Sequence, residues 1–207
     1  MELFFTMLVP LIIAAVALYG MARRVDVYDA LVQGAGEGLG VLLRIVPPLV
    51  GLLTAVYMLR ASGALELAAQ AEGDGDVPVG CVIVKEDRVI GRGRNRREER
   101  GDATAHAEVE AIRDACARTG SWRLTDCTLY VTLEPCPMCA GAIINSRIRT
   151  LRYGTRDDKA GCCGSVLNLF EERFNHHPRI YQGPLREECE SQLQDFFRGL
   201  REKSGEI

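Results

Sequence analysis

Charge is spread so unevenly along this 207-residue chain that a single uniform domain is excluded. Residues 1–64 carry four arginines (Arg23, Arg24, Arg44, Arg60) and four acids (Glu2, Asp26, Asp29, Glu37), which is 8 charges in 64 positions. The other 143 positions hold 45. A segment that poor in charge reads as membrane-like or fully buried. The remainder has the balance of a soluble globular domain and a length ordinary for one. The sequence thus divides into a hydrophobic segment, residues 1–64, and a soluble domain, residues 65–207.

Within the first segment, Leu3–Met21 is a run of 19 residues without a charge, near the length of one membrane-spanning helix. The charge ahead of it is Glu2, where a secretory signal would have a basic region. A second run, Leu39–Leu59, contains Arg44 and the pair Pro47-Pro48, which suit a broken or re-entrant helix better than a straight span. The stretch VDVYDALVQGAGEGLGVLLRIVPPLVGLLTAVYMLRASGAL resembles part of the spore maturation protein B family, membrane proteins with a nucleoside-recognition domain. The resemblance stops near Leu65, so only a fragment of that domain is present. It is either fused to the soluble part or joined to it by a frameshift, a deletion or an assembly error. If translated, its unshielded apolar helices are expected to make the protein associate with membranes or aggregate.

A formal net charge of −3 excludes a generally basic nucleic-acid coat, although a local basic patch follows the local field rather than the total. The eight cysteines do not form a disulfide framework: two stand as Cys136-Pro-Met-Cys139, Cys162 and Cys163 are adjacent, and Cys81, Cys116 and Cys127 fall in apolar segments. That usage points to reduced thiols and a metal site; the expected location is cytoplasmic, with membrane association if the N-terminal extension is genuine.

The soluble part reads as alternating elements. Glu66–Glu72 is the remnant of a helix ended by Gly73-Asp-Gly75, and Gly63 ahead of it is a weak point. Val79–Lys85 and Arg88–Arg94 form a hairpin. A polar arginine-rich loop, Asn95–Thr104, leads to a helix over Ala105–Arg118 whose apolar positions Val109, Ile112 and Cys116 recur at helical spacing. Cys127–Leu133 is a third strand, Cys136–Asn145 a helix, Ile148–Tyr153 a fourth strand, and Val166–Glu172 a short helix after a glycine-containing loop. The last helix, Arg186–Lys203, presents Leu193, Phe196, Phe197 and Leu200 on one apolar face. An initial hairpin followed by alternating strands and helices predicts a mixed sheet with helices on its faces, an α/β sandwich.

The chemistry concentrates in His106-Ala-Glu108 and Pro135-Cys136-Pro-Met-Cys139. A zinc ion that activates water needs three protein ligands and one open position; His106, Cys136 and Cys139 are three ligands of suitable type. The two cysteines sit at a predicted helix start, where the helix dipole favours thiolate. Glu108 is placed to move protons between water and substrate, provided that His106 and Glu108 lie at an irregular helix start, because two residues apart on a regular helix point in nearly opposite directions. A bare C-x-x-C also occurs in redox pairs and in structural zinc knuckles, for which Cys162, Cys163 or His176 would be the fourth ligand. Both halves together, with 26 residues between Glu108 and Pro135, match the zinc-deaminase signature.

The stretches GDATAHAEVEAIRDAC, WRLTDCTLYVTLEPCPMCAGAIINSRI, LRYGTRDDKAGCCGSVLNL and FNHHP resemble the bacterial tRNA-specific adenosine deaminases over about Leu65–Arg201. The resemblance implies a three-layer α/β/α cytidine-deaminase-like sandwich with a mixed central sheet, here preceded by a hydrophobic helical extension. It also implies a homodimer, one Zn2+ per subunit held by His106, Cys136 and Cys139, and Glu108 as proton shuttle. The implied reaction uses zinc-activated water to convert adenosine to inosine at the wobble position of an arginine tRNA with an ACG anticodon, releasing ammonia. The tRNA anticodon loop would be the partner. Asn95, eleven residues before His106, matches the family's substrate-contacting asparagine; its plainer role is a turn residue after a strand.

Six arginines in 13 positions (Arg88, Arg92, Arg94, Arg96, Arg97, Arg100) are available for phosphate contacts, or form a solvated face neutralised by Asp87, Glu98 and Glu99. Arg198 and Arg201 on the last helix are further candidates for RNA contact. Cys162-Cys163 reads as incidental packing and Trp122 as a core or interface residue. The signature alone is shared with deaminases of free guanine, cytosine or nucleotides; AGCCGSVLNL, FNHHP and the FFRGLR ending favour tRNA. A membrane nucleoside-binding component is the reading that residues 1–64 would support alone.

Overall fold

The computed structural model describes the backbone of residues 2–61, 63–183 and 185–205, and their side chains except at 2–6, 51–61 and 204. It divides into two compact units, residues 1–51 and 52–207. The expected apolar runs at 3–21 and 39–59 therefore lie partly outside the described side chains.

The first unit consists of helix α1 (Glu2–Ala22) and most of α2 (Val27–Ala61). Arg24, at φ +58°, turns the chain between them, and the Asp26 carboxylate accepts from the Asp29 N–H at 3.1 Å. Large apolar side chains such as Leu11, Val16, Leu31 and Leu43 are exposed along both helices. Among the described residues no helix is long and apolar enough to cross a membrane, so the expected span finds no support there. The expected break is absent too: α2 runs unbroken through Pro47 and Pro48. A proline's fixed φ is itself helical, and these two remove donors from the helix without ending it.

The second unit holds α3 (Ala64–Gly73), β1 (Gly80–Lys85), β2 (Arg88–Arg94), the one-turn α4 (Arg97–Arg100), α5 (Ala107–Thr119), β3 (Thr128–Leu133), α6 (Pro137–Asn145), β4 (Thr150–Thr155), β5 (Arg179–Gln182) and α7 (Arg186–Ser204). Gly63, at φ +81°, stands at the N-cap of α3. The sheet order is β2-β1-β3-β4-β5; β1 runs antiparallel to β2 and β3, while β3, β4 and β5 run parallel. The sheet is mixed, as expected, and gains in β5 a strand the sequence reading lacked.

Strand alternation sorts side chains into two cores. Cys81 and Ile83 of β1, Leu129 and Val131 of β3 and Leu151 of β4 pack with Ala107, Ala111, Ala140 and Ile143 of α5 and α6. On the other face Val82, Val84 and Tyr130 meet Ala64 of α3 and Leu185 and Cys189 at the start of α7. The result is a three-layer α/β/α sandwich.

α5 rests on the sheet chiefly through Ala107, Ala111 and Ala115, all fully buried; of the expected apolar positions, half-buried Ile112 and Cys116 pack against the same core, whereas Val109 is half-buried outside it. The reason is a close approach to β2. A Cβ on Gly93 would lie 2.1 Å from the Ala107 carbonyl oxygen and 2.5 Å from the Ala111 nitrogen, both rigid backbone. Gly93→Ala is therefore expected to cost about 1–3 kcal/mol of stability, as overpacking does, and a lowered midpoint in thermal unfolding checks it. An unchanged midpoint would mean that helix and strand are not held this close.

Candidate active site

Two helix N-termini converge at the edge of the α5–α6 layer. The chain enters α5 through a turn in which the Asp102 carboxylate accepts from both the backbone N–H and the hydroxyl of Thr104, each at 2.8 Å. His106 is the N-cap, extended at φ −79° and ψ 151°, and Glu108 is the second helical residue. This is the irregular helix start that the sequence argument required: because His106 lies outside the helix, its ring and the Glu108 carboxyl need not point apart. The second N-terminus is built alike. Cys136 is the extended N-cap of α6, Pro137 takes the first helical position, where its missing N–H costs nothing, and Cys139 follows in the first turn.

His106 Nδ1 lies 3.6 Å from Cys136 Sγ and 3.5 Å from Cys139 Sγ. The ligand atoms of these three residues fall within 4.8 Å of one another. Among the described residues Cys162, Cys163 and His176 do not join this cluster. The Cys162 thiol donates to the Ala160 carbonyl, and a ring nitrogen of His176 meets the Ile148 carbonyl oxygen at 2.7 Å. A hydrogen bond from Cys139 pulls the Cys136 thiol down to about 4, helped by His106. The same bond pushes the Cys139 thiol far up. One nitrogen, one thiolate and one thiol able to lose its proton to a cation are the donor chemistry of a three-ligand zinc site.

Glu108 is buried, and burial pushes its carboxyl up to about 7, with charge on Cys136 adding to the rise. Asn95, also buried, is held by its backbone N–H to the Val79 carbonyl at 2.9 Å and by its side-chain amide to the Val77 carbonyl at 3.2 Å. Its Oδ1 is left buried without a partner. Such an atom carries a cost unless something else donates to it.

Asn95, Arg97, His106, Glu108, Asp157 and Phe197 are among the residues lining a cavity of about 520 Å3, of a size common for small-molecule sites. Arg156, Asp158 and Lys159 border both this cavity and an adjoining groove of about 730 Å3, which α7 lines with Arg186, Arg198 and Arg201. Sequence reasoning assigned no role to Arg156, Asp157 or Lys159. The apolar face predicted for α7 also turns out to serve the site: Phe197 and Leu200 are more than 40% exposed, and Leu193 and Phe197 border the cavity instead of filling the core.

The arginine cluster resolves into individual fates. Arg94 pairs with Asp74 and Glu99, Arg96 with Glu99, and Arg100 with Glu110. Arg97 faces the cavity. Of the acids that charge counting suggested, Glu99 takes part, pairing with both Arg94 and Arg96, while Asp74 and Glu110 come from outside the cluster. Trp122 is 52% exposed, with the Arg123 guanidinium 4.1 Å from its ring centroid, so it is not a core residue.

The family model of MafB19-like deaminases matches residues 58–201. The tRNA-specific adenosine deaminase of Bacillus subtilis (strain 168) is 49% identical over 141 residues, 68% of this chain and 88% of that protein. A solved structure from work on A-to-I editing by tRNA:A34 deaminases at the wobble position is 45% identical, covers 64% of this chain and 97% of its own, and superposes with a TM-score of 0.62. The guanine deaminase of Nitrosomonas europaea, 24% identical with a TM-score of 0.57, covers 65% of this chain and 81% of its own, and shares the fold.

Proposed function

Because the chain belongs to the family of tRNA-specific adenosine deaminases, with a cytidine-deaminase-like fold, we propose that it is a zinc-dependent hydrolase converting adenosine to inosine at the wobble position of a tRNA, with release of ammonia. The observation that carries this reading is one cavity lined by His106 and Cys136, two members of the three-donor cluster that Cys139 completes from beneath the surface, together with a buried carboxyl poised near neutrality and an unsatisfied buried acceptor.

His106, Cys136 and Cys139 would hold the ion, one per subunit. Zinc bound there supplies water acidified to a pKa of about 7. Proton movement falls to Glu108. Its carboxylate takes one proton from the water that adds at C6 of adenine and passes it to N1, then takes the remaining proton from the new C6 hydroxyl and passes it to the amino group, which leaves as ammonia. Water and adenosine thereby become inosine and ammonia. Burial gives Glu108 the intermediate affinity that a residue acting first as base and then as acid needs. Asn95, fixed by its two bonds to the β1 approach, offers Oδ1 to a donor on the flipped-out nucleoside.

The substrate is the anticodon loop of an arginine tRNA with an ACG anticodon. Arg97 and Lys159 at the cavity mouth and the arginines of the adjoining groove supply positive charge for its phosphates. The active unit is a cytoplasmic homodimer, for which exposed Trp122, Val166, Leu167 and Phe174 offer apolar surface. Residues 65–207 carry this activity.

Incubating the zinc-loaded full-length chain with an ACG anticodon stem-loop RNA should yield inosine at the wobble position; no inosine would refute the assignment. Asn95→Ala removes the acceptor and is expected to lower kcat/KM on that RNA by about 10–100-fold, the worth of one hydrogen bond from a buried site. An unchanged kcat/KM would assign Asn95 the plain turn role.

A further inference from the structure

The mechanism leaves one buried acid beside the metal donors unused. Glu134 follows β3 and precedes Pro135-Cys136, and it is 2% exposed. Its carboxylate accepts from the backbone N–H groups of Asp157 at 3.1 Å, Cys163 at 2.6 Å and Ser165 at 3.2 Å, and from the Ser165 hydroxyl. All four donors come from one loop, and an acceptor-only carboxylate satisfies them all, where a carboxamide would turn a donor toward two of them.

Backbone bonds reinforce the same seam. The Glu134 N–H donates to the Thr155 carbonyl and the Cys162 N–H to the Pro135 carbonyl, each at 2.9 Å. Gly161 permits the closure: a Cβ there would lie 2.5 Å from the Glu134 carboxyl carbon and 2.5 Å from the Asp157 carbonyl oxygen. The loop so held carries Arg156, Asp157, Lys159 and Ala160, which line the cavity together with His106 and Glu108.

We propose that Glu134 is a positioning residue for the deamination: its carboxylate locks the loop of residues 156–165, one wall of the substrate cavity, to the Pro135-Cys136 segment that carries a metal donor. Substrate wall and metal donor thereby keep one registry. Loop residues outside helices and strands need such a fixed partner to act as a rigid surface.

The inference rests on the deaminase reading, and its test separates the two. In the zinc-loaded full-length chain, Glu134→Gln should keep its zinc and speed amide hydrogen exchange over residues 156–165. It should also raise KM for the ACG stem-loop RNA about tenfold, the equivalent of one charge-assisted hydrogen bond, with kcat changed far less. Ser165→Ala, a milder change that removes only the hydroxyl donor, should move exchange and KM in the same direction by less. Unchanged exchange and KM in both variants would overturn the proposal. Loss of zinc with unchanged exchange would overturn it too, making Glu134 a support of Cys136 alone. Exchange needs no substrate, so a wild-type chain that leaves the RNA unedited would contradict the proposed function while exchange still decides the anchoring role.

Discussion

Glu108→Ala is expected to leave the chain folded and zinc-loaded while lowering kcat by about 10²–10⁴-fold, the usual contribution of a positioned general acid–base. The expectation follows from where Glu108 sits. It shares the cavity with His106 but is outside the three-residue donor cluster, so its removal takes away no metal donor. Its carboxyl is buried and raised to about 7 by that burial, and alanine supplies no group that transfers a proton. Metal analysis beside single-turnover kinetics separates the roles. Zinc retained with turnover lost assigns Glu108 to proton transfer, whereas zinc lost would make it a structural support of the site.

The second large effect concerns the metal donors. Cys139→Ala should reduce zinc content from one per chain to a trace and abolish deamination, because two donors remain where a catalytic zinc site needs three. The affinity loss should exceed the about 10–100-fold that follows removal of an outer-shell partner. Cys136 and Cys139 also depend on each other, since the hydrogen bond between them draws one thiol down and the other up. Cys162→Ala is the control. That thiol is buried and engaged with the Ala160 carbonyl rather than with the cluster, so its loss should leave zinc stoichiometry at one. Zinc retained by Cys139→Ala would show that the metal sits elsewhere.

What could be read from the sequence was what local patterns encode. The β1–β2 hairpin, the helices that follow β2 and β3, and the two motifs at their N-termini come from residues close in the chain, where hydrophobic period and helix-start chemistry act directly. Long-range partners were not legible. The bonds from Glu134 to residues 157–165 span 23–31 positions, and no spacing rule marks an acid as the anchor of a distant loop. The same holds for Arg94 and Arg100, whose partners Asp74 and Glu110 lie outside the arginine cluster. β5 escaped notice because four residues, Arg179–Gln182, are too few to show an alternation. The periodicity of α7 marks its length, but Leu193 and Phe197 of its apolar face border the cavity, a placement that amphipathicity alone does not distinguish from core.

The measurement that bears most directly on the central claim offers the zinc-loaded chain three substrates side by side: an ACG anticodon stem-loop RNA, free guanine and free cytosine. Ammonia release would be followed together with the nucleoside content of the RNA. Inosine at the wobble position with one ammonia per inosine, and no turnover of the free bases, is the predicted result. Ammonia from guanine or cytosine with the RNA left unedited would contradict it and make the chain a deaminase of small molecules.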